Sequence, residues 1–550
     1  MSQTNWYLGL DAGMCHWRAV WSDGDRAVFW QDAPGQLQFP AVAYLDVRET
    51  SGTRFPLGEA ALEAMDRKEG VLLDRFKPYL QATIPFYDRS GQRWEPRLQM
   101  YGQPQVSLYW LQRVIQALLE ALKPGVGDET PEGVFRAQAA QNLAGAIVSC
   151  PAGVNDAYRF NWREGLLRSR TISSSDRVYF LEEAIAALLG WSGEAPEPGL
   201  TLILHAGGAT TELALVDLPS HWSRLTRDRL SLRSFAYAGE GIVEDIFYQL
   251  LYPQWLSQPG FLQDLDLKIP QAGCPDAPRR DLARSQLRSF AGGWRLLETA
   301  KRVWPILQKQ EVLQSTLGDL TWCVQKRDFD RYVVKPYLEA LNGEVNRLLS
   351  QAGLPSQAIT QVLIGGKTGL ALAPALQEWL TLKCDKVRCL RAEQPEMQVA
   401  RGLVRLPQYP QLLDAIAHQY NDYFLLRELL EVLPNRKIST AEVMQRLERR
   451  GINTRPVRDR LLTWLSGTLP SGLVPTTDRP AWLGVTSQQN RDYQGITAAP
   501  LGQAEGDEYR INAKQRQRLL QYIDALVASS EQNLHEPLSN HLIVSDWEEA

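Results

Sequence analysis

The chain has 550 residues, more than the ~250–300 at which a single core stops growing, so at least two domains are expected. Hydrophobic residues at 44% and charged residues at 22% exclude a wholly disordered protein. A formal net charge of −4 and a sequence pI near 6.0 exclude a global basic field for nucleic acid and leave only a local patch open.

The opening residues, MSQTNWYLGLDAG, carry neither a basic n-region nor a long apolar h-region, which argues against a secretory signal. No apolar run reaches the ~20 residues needed to cross a bilayer, so a cytoplasmic protein with no membrane partner is expected. Six cysteines (Cys15, Cys150, Cys274, Cys323, Cys384, Cys389) fit neither a Cys-x-x-Cys metal pair nor a disulfide scaffold. They read as reduced thiols, with Cys384 and Cys389 as strand residues.

In chain order, four short apolar runs enter glycine-rich turns: 6–13 (WYLGLDAG), 146–153 (AIVSCPAG), 201–208 (TLILHAGG) and 361–366 (QVLIGG). Runs of this kind read as buried strands. Helical patterns at 106–122, 156–168, 240–251, 283–307 and 332–351 intervene, and the alternation implies an α/β architecture. LGLDAGMCHWRAVW and ILHAGGATTELALV each run strand, glycine turn, strand, which suggests two related halves with a cleft between them. Glycine lets a chain approach an anion closely, and successive N–H groups make a cationic concavity, so two such turns across a cleft suit a polyphosphate.

These segments resemble, in order, the nucleotide-binding domain of the seventy-kilodalton heat-shock chaperone family, which belongs to the actin-like ATPases. LGLDAGMCHW is similar to the first phosphate loop, with Asp11 at the metal-water position and Gly13, Met14 and Cys15 at the turn. FPAVAYLD, LGEAA and VLLDRFKPYL resemble the segment covering the cleft, and Lys77 matches the catalytic lysine. CPAGVNDAYR is similar to the interdomain segment, with Pro151 as switch and Arg159 as relay partner. LEEAIAALLGW puts Glu183 at the glutamate that orients water. HAGGATTE resembles the second phosphate loop: Gly207, Gly208 and Ala209 approach phosphate, and Thr210 lies near the γ-phosphate. AGEGIVEDI and LLETAKRVW resemble the nucleoside region, carrying Glu240, Glu298, Lys301 and Arg302. GGKTGL is similar to the adenosine loop, with Gly365, Gly366 and Lys367, and PEMQVARG to the closing helix, with Glu396.

The resemblance implies a two-lobed fold of two ribonuclease-H-like halves with inserted subdomains, lobe I over about 1–192 and lobe II over about 193–406. It also implies ATP or ADP with Mg²⁺ as ligands, and a protein client or cochaperone as partner. Three departures stand out: His205 replaces the second metal-water aspartate, Met14 and Cys15 replace two threonines, and Gly369 replaces the base-stacking arginine. Mg²⁺ keeps several waters that carboxylates orient, so the loss of one carboxylate predicts nucleotide binding with weak or absent hydrolysis. Without the resemblance, Lys77 and Arg159 read as surface charges and His205 as a core histidine. An actin-like small-molecule kinase would need an aspartate base, for which Asp156 is the candidate.

Residues 407–411 (PQYPQ) read as a linker, followed by helices at 412–433, 439–450 and 455–466. Ser439 or Thr440 suits a helix N-cap, Gly451 a helix end and Thr454 the next cap. The unit over 412–480 resembles a winged-helix or helix-turn-helix unit. Protein contact is the expected role and DNA the lesser alternative, although basic residues outnumber acidic ones between 436 and 460. Over 481–550 a Gly/Pro/Gln-rich loop, a helix near 513–529 and a loosely ordered tail are expected. The family's acidic-leucine linker and β-rich client domain have no counterpart here, so a pseudo-ATPase scaffold acting through this appended part is the main alternative.

Overall fold

A computed structural model describes residues 5–31, 36–46, 56–65, 70–81, 87–88, 93–94, 97–98, 106–123, 131–257, 265–275, 277–289, 293–318, 320–384, 386–473, 489, 491–528 and 530–542. The architecture is mixed α/β, and two sheets organise the first four hundred residues. In the first, β1 (Trp6–Ala12), β2 (His16–Ser22), β3 (Ala27–Phe29), β4 (Leu143–Cys150) and β5 (Val178–Glu182) lie in the order β5-β4-β1-β2-β3, and Phe39–Pro40 adds beside β2. In the second, β6 (Gly199–Ala206), β7 (Thr211–Leu218), β8 (Leu230–Phe235), β9 (Gln361–Gly365) and β10 (Arg388–Arg391) lie in the order β8-β7-β6-β9-β10. In each sheet the opening hairpin is antiparallel and the next two strands are parallel to its first strand. One topology is therefore used twice.

The strands form where the apolar runs predict them. All of β1 and β9 is buried, as are the last six residues of β4 and β6, because parallel strands are covered on both faces. Between the sheets lies a shared core in which Tyr7 and Ile147 of the first meet Ile203 and Leu363 of the second. The helices Glu183–Leu189 and Gln398–Leu403 cross inside it. A side chain added at Gly402 would start 1.7 Å from the Ala186 carbonyl, and one at Gly190 would start 1.8 Å from the Gln398 carbonyl. Only glycine permits that backbone contact. This crossing holds the carboxyl ends of β1, β6 and β9 toward one crevice, the place where open α/β sheets bind ligands.

Beyond residue 406 the structure departs from the expected linker. Residues 406–412 form two tight turns whose Leu406 and Leu412 are fully buried in the interlobe core. The single helix expected at 412–433 is two helices, Ala415–Gln419 and Asp422–Val432, and the Asn421 side chain caps the second by accepting from Phe424 N. Strand Lys437–Ser439, helices Thr440–Glu448 and Arg458–Leu465, and strands Gly502–Glu505 and Glu508–Ile511 follow, with 508–511 central in a three-stranded antiparallel sheet. Residues 474–488, within the glycine-rich passage, lie outside the described residues.

This unit rests on lobe I. Phe160, on helix Asp156–Arg168, stacks on Tyr423 at 4.4 Å. The described part of the tail is seated too, rather than loose. Glu164 accepts from Glu531 N at 3.1 Å and from Gln532 Nε2 at 2.8 Å, while Ser539 N donates to Asp176. Cys384, expected in a strand, ends helix Ala373–Cys384, while Cys389 lies in β10. No described helix is long and apolar enough to cross a membrane.

Candidate functional site

Between the lobes, the carboxyl ends of the strands enclose a cavity of about 390 Å³. The first hairpin contributes Asp11, Gly13, Met14 and Cys15, and the second contributes His205, Gly207, Gly208, Ala209 and Thr210. Lys77, Glu183, Glu240, Lys301, Gly366, Lys367 and Glu396 complete the expected set that lines it. Three of the residues expected to bind nucleotide do not line it. Glu298 and Arg302 are exposed, and the cavity is bordered instead by Lys301, Trp304 and Pro305 of the same helix. Gly365 ends β9 against Gln398, where a side chain would start 2.4 Å from Oε1. A larger groove of about 1010 Å³ lies on lobe II, lined by Trp379, Leu338 and Glu378 among others. None of the expected residues borders it, so size does not mark the site here.

The two hairpins present different surfaces. A side chain at Gly13 would start 2.5 Å from the His16 carbonyl, so that turn is closed on itself. At Gly208 no atom lies within 4 Å of such a position, and its backbone faces free space. Gly366, at φ +76°, sits where a side chain would start 2.1 Å from the Ala206 carbonyl. That close approach brings the 366–369 turn beside the second hairpin, where Thr368 Oγ1 donates to the Gly207 carbonyl at 2.6 Å.

Three acids of the crevice, Glu183, Asp11 and Glu240, are each paired with a base. Lys77 Nζ lies 2.5 Å from Glu183 Oε1, with both side chains nearly buried. Burial opposes the ammonium charge, but Glu183 outweighs it and holds Lys77 above the ordinary lysine range. Asp11 Oδ2 meets Arg18 Nη1 at 3.0 Å, and Arg18 Nη2 donates to Gln38 Oε1 at 3.1 Å. Lys367 Nζ reaches the same Gln38 oxygen at 3.4 Å from the other lobe. Glu240 pairs with Arg75 and accepts from Cys15 Sγ at 3.5 Å. Burial first, then Glu240, pushes the Cys15 thiol far up. Two histidines are kept neutral. Burial, followed by Arg18 and Lys367, lowers His16 to about 4, and burial lowers His205, whose Nδ1 has no partner among the described residues.

Pro151 and Arg159 lie outside the cavity, in the segment between it and the appended unit. Ala152 N donates to Glu212 Oε2 at 3.1 Å, and Ser234 Oγ donates to Glu212 Oε1 at 2.7 Å. Burial, then Glu183, raises the Glu212 carboxyl. Arg159 is not a surface charge: its Nη1 sits 2.6 Å from Asp156 Oδ1. Asp156 Oδ2 accepts from Asp422 N at 2.8 Å and meets Arg460 at 3.4 Å. Asp156 is thereby engaged with the appended unit, which leaves it unsuited to act as a base in the cleft.

Sequence reasoning missed Arg18, Gln38, Arg75 and Glu212. A signal existed for Arg18, since residues two apart on a strand share a face and His16 and Arg18 flank buried Trp17. Compared with models of known protein families and with curated proteins, the chain matches none.

Proposed function

We propose that this chain is a divergent relative of the seventy-kilodalton heat-shock chaperones with a two-lobed actin-like fold. In this reading it binds ATP or ADP in the interlobe crevice, hydrolyses it slowly or not at all, and uses the bound state to control a protein partner. The observation that carries the reading is the convergence of two topologically equivalent glycine hairpins and the 366–369 turn on one cavity of ligand size. Main-chain amides of Gly207, Gly208 and Ala209 would take the phosphates, and Lys367 and Lys77 would neutralise them. Lys301, Trp304 and Pro305 offer a wall for the nucleoside.

Slow turnover follows from the pairings. Glu183 is held by Lys77, and the Asp11 carboxylate by Arg18, so neither is free to orient water or metal-bound water. The two positions implied for Mg²⁺ fit it poorly: Asp11 is ion-paired and His205 is neutral. Among the described residues no group of three or more His, Cys, Asp or Glu is placed to hold a metal ion directly.

A route for control is also suggested. Thr210 leads directly into the strand that carries Glu212, and Glu212 holds Ala152 beside Pro151. That segment leads to Asp156, which binds Asp422 and Arg460 of the appended unit. Apart from the short helix Arg491–Ile496, the described elements from Asp422 to Ile511 follow the helix–strand–helix–helix–strand–strand order of a winged helix. Arg460, on its third helix, faces lobe I, which favours protein contact over DNA reading. The reading places the protein in the cytoplasm. Limited proteolysis with and without ATP tests the switch: changed cleavage around residues 407–421 is expected, and calorimetry showing no ATP or ADP binding at millimolar ligand would end the reading.

A further inference from the structure

We infer that the crevice takes its polyphosphate as the metal-free anion, with the Arg18 guanidinium standing where a Mg²⁺ ion would otherwise balance charge. The inference rests on the nucleotide reading for the ligand's identity but on the crevice itself for the counterion.

The antiparallel register sets Asp11 directly opposite Arg18 in the first hairpin and His205 directly opposite Glu212 in the second. The two pairs are topological counterparts. In the first, both carboxylate oxygens are committed: Oδ2 to Arg18 Nη1 at 3.0 Å, and Oδ1 to the Ser149 hydroxyl at 3.5 Å. In the second, the residue facing the cavity carries no carboxylate, and the Glu212 carboxylate turns away to Ala152 and Ser234. Glu183 and Glu240 are likewise matched to Lys77 and Arg75. A divalent cation taking Asp11, Glu183 or Glu240 as a ligand would have to compete with the guanidinium or ammonium paired with that acid and then sit beside it, which leaves Glu396 as the lining acid outside these pairs.

A phosphate chain meets the opposite situation. Arg18 lines the cavity, is always charged, and presents planar donors suited to phosphate oxygens. Its Nε is buried with no partner among the described residues. Gln38 holds Nη2 and also contacts Lys367 from lobe II, so two cations flank the crevice from opposite lobes. A polyanion between them meets cationic donors from both sides without a metal.

The test is calorimetry of the full chain with ATP and, separately, with tripolyphosphate, each in Mg²⁺ buffer and in EDTA. Both ligands are expected to bind in EDTA with affinities within about threefold of those in Mg²⁺. Arg18→Gln should weaken binding in EDTA at least about tenfold, and Arg18→Lys by a smaller factor because it keeps the charge but loses the fork. If Arg18→Gln does not fold, Arg18→Lys still decides, since unchanged binding in EDTA by that variant overturns the proposal. Binding that is at least about tenfold tighter with Mg²⁺ also overturns it. Tripolyphosphate binding in EDTA without ATP binding would sink the nucleotide reading and leave the metal-free site standing. ATP binding confined to Mg²⁺ buffer would do the reverse.

Discussion

The two lobes share one strand order yet use their hairpins differently. In lobe I the turn after β1 is closed: Gly13 abuts the His16 carbonyl, Arg18 covers Asp11, and Cys15 reaches Glu240 of the other lobe. In lobe II the turn after β6 leaves Gly208 facing open space, and its acid, Glu212, ties the lobe to Ala152 across the interface. Lobe I also carries the appended unit on helix Asp156–Arg168, through Asp156, Phe160 and Glu164. The contrast teaches that a repeated topology fixes where a ligand can sit while the side chains of each copy settle its role. One hairpin supplies charge and the other supplies free amides.

The crossing that sets the hairpins face to face should be the most sensitive point. Gly402→Val would drive a side chain into the Ala186 carbonyl, and denaturant titration should show a loss of about 3 kcal/mol or more, the upper range for overpacking. An unchanged midpoint would mean that the lobes are not held by this contact. The hairpin contrast itself is sharpened by a pair of variants. Gly208→Val should reduce ATP affinity roughly a hundredfold, since a branched side chain would fill the space the phosphates need, with stability changed by no more than about 0.5 kcal/mol. Gly13→Val should instead destabilise by about 2 kcal/mol because its turn has no room. Equal effects of the two on stability would break the comparison.

Docking of the appended unit on lobe I gives the next effect. Arg460→Ala leaves Asp422 without its cation beside Asp156, which keeps only Arg159. A loss of about 2 kcal/mol is expected for removing one partner of this partly buried cluster, read as faster proteolysis between residues 407 and 421. The smallest effect concerns pH. His418 stacks on Tyr179 at 4.9 Å and its Nε2 lies 3.0 Å from the Ser539 carbonyl oxygen. Burial, then Arg163, lowers its pKa to about 4. The folded pKa lies below the unfolded one, so this contribution is complete above about pH 6.5 and is lost as pH falls toward 4. Between pH 7 and pH 5.5 the wild type should lose about 1 kcal/mol more than His418→Phe, which keeps the ring but cannot take up a proton. Parallel melting curves for the two proteins at both pH values would contradict this.

The strand–glycine–strand passages were legible because buried parallel strands leave continuous apolar runs and their turns need glycine. Nine of the sixteen expected site residues at the cavity come from these two passages, where local chain geometry alone sets their positions. Arg18 was legible in principle once the hairpin register was drawn, because the four-residue turn places it opposite Asp11. The exposure of Glu298 and Arg302 was not, since helical phase around Lys301 depends on how that helix packs on lobe II. Nor was the seating of the appended unit. It depends on pairs such as Asp156 with Arg460 and Glu164 with Gln532, separated by hundreds of residues and carrying no periodic signature.

Amide hydrogen exchange with and without ATP bears most directly on the claim that main-chain amides of the second hairpin hold a polyphosphate. Slowed exchange is predicted at residues 207–210 and 366–369, with a smaller effect at 13–15 where the turn is already closed. Protection confined to the lobe II groove around Trp379, or no change at 207–210 despite saturating ligand, would contradict it.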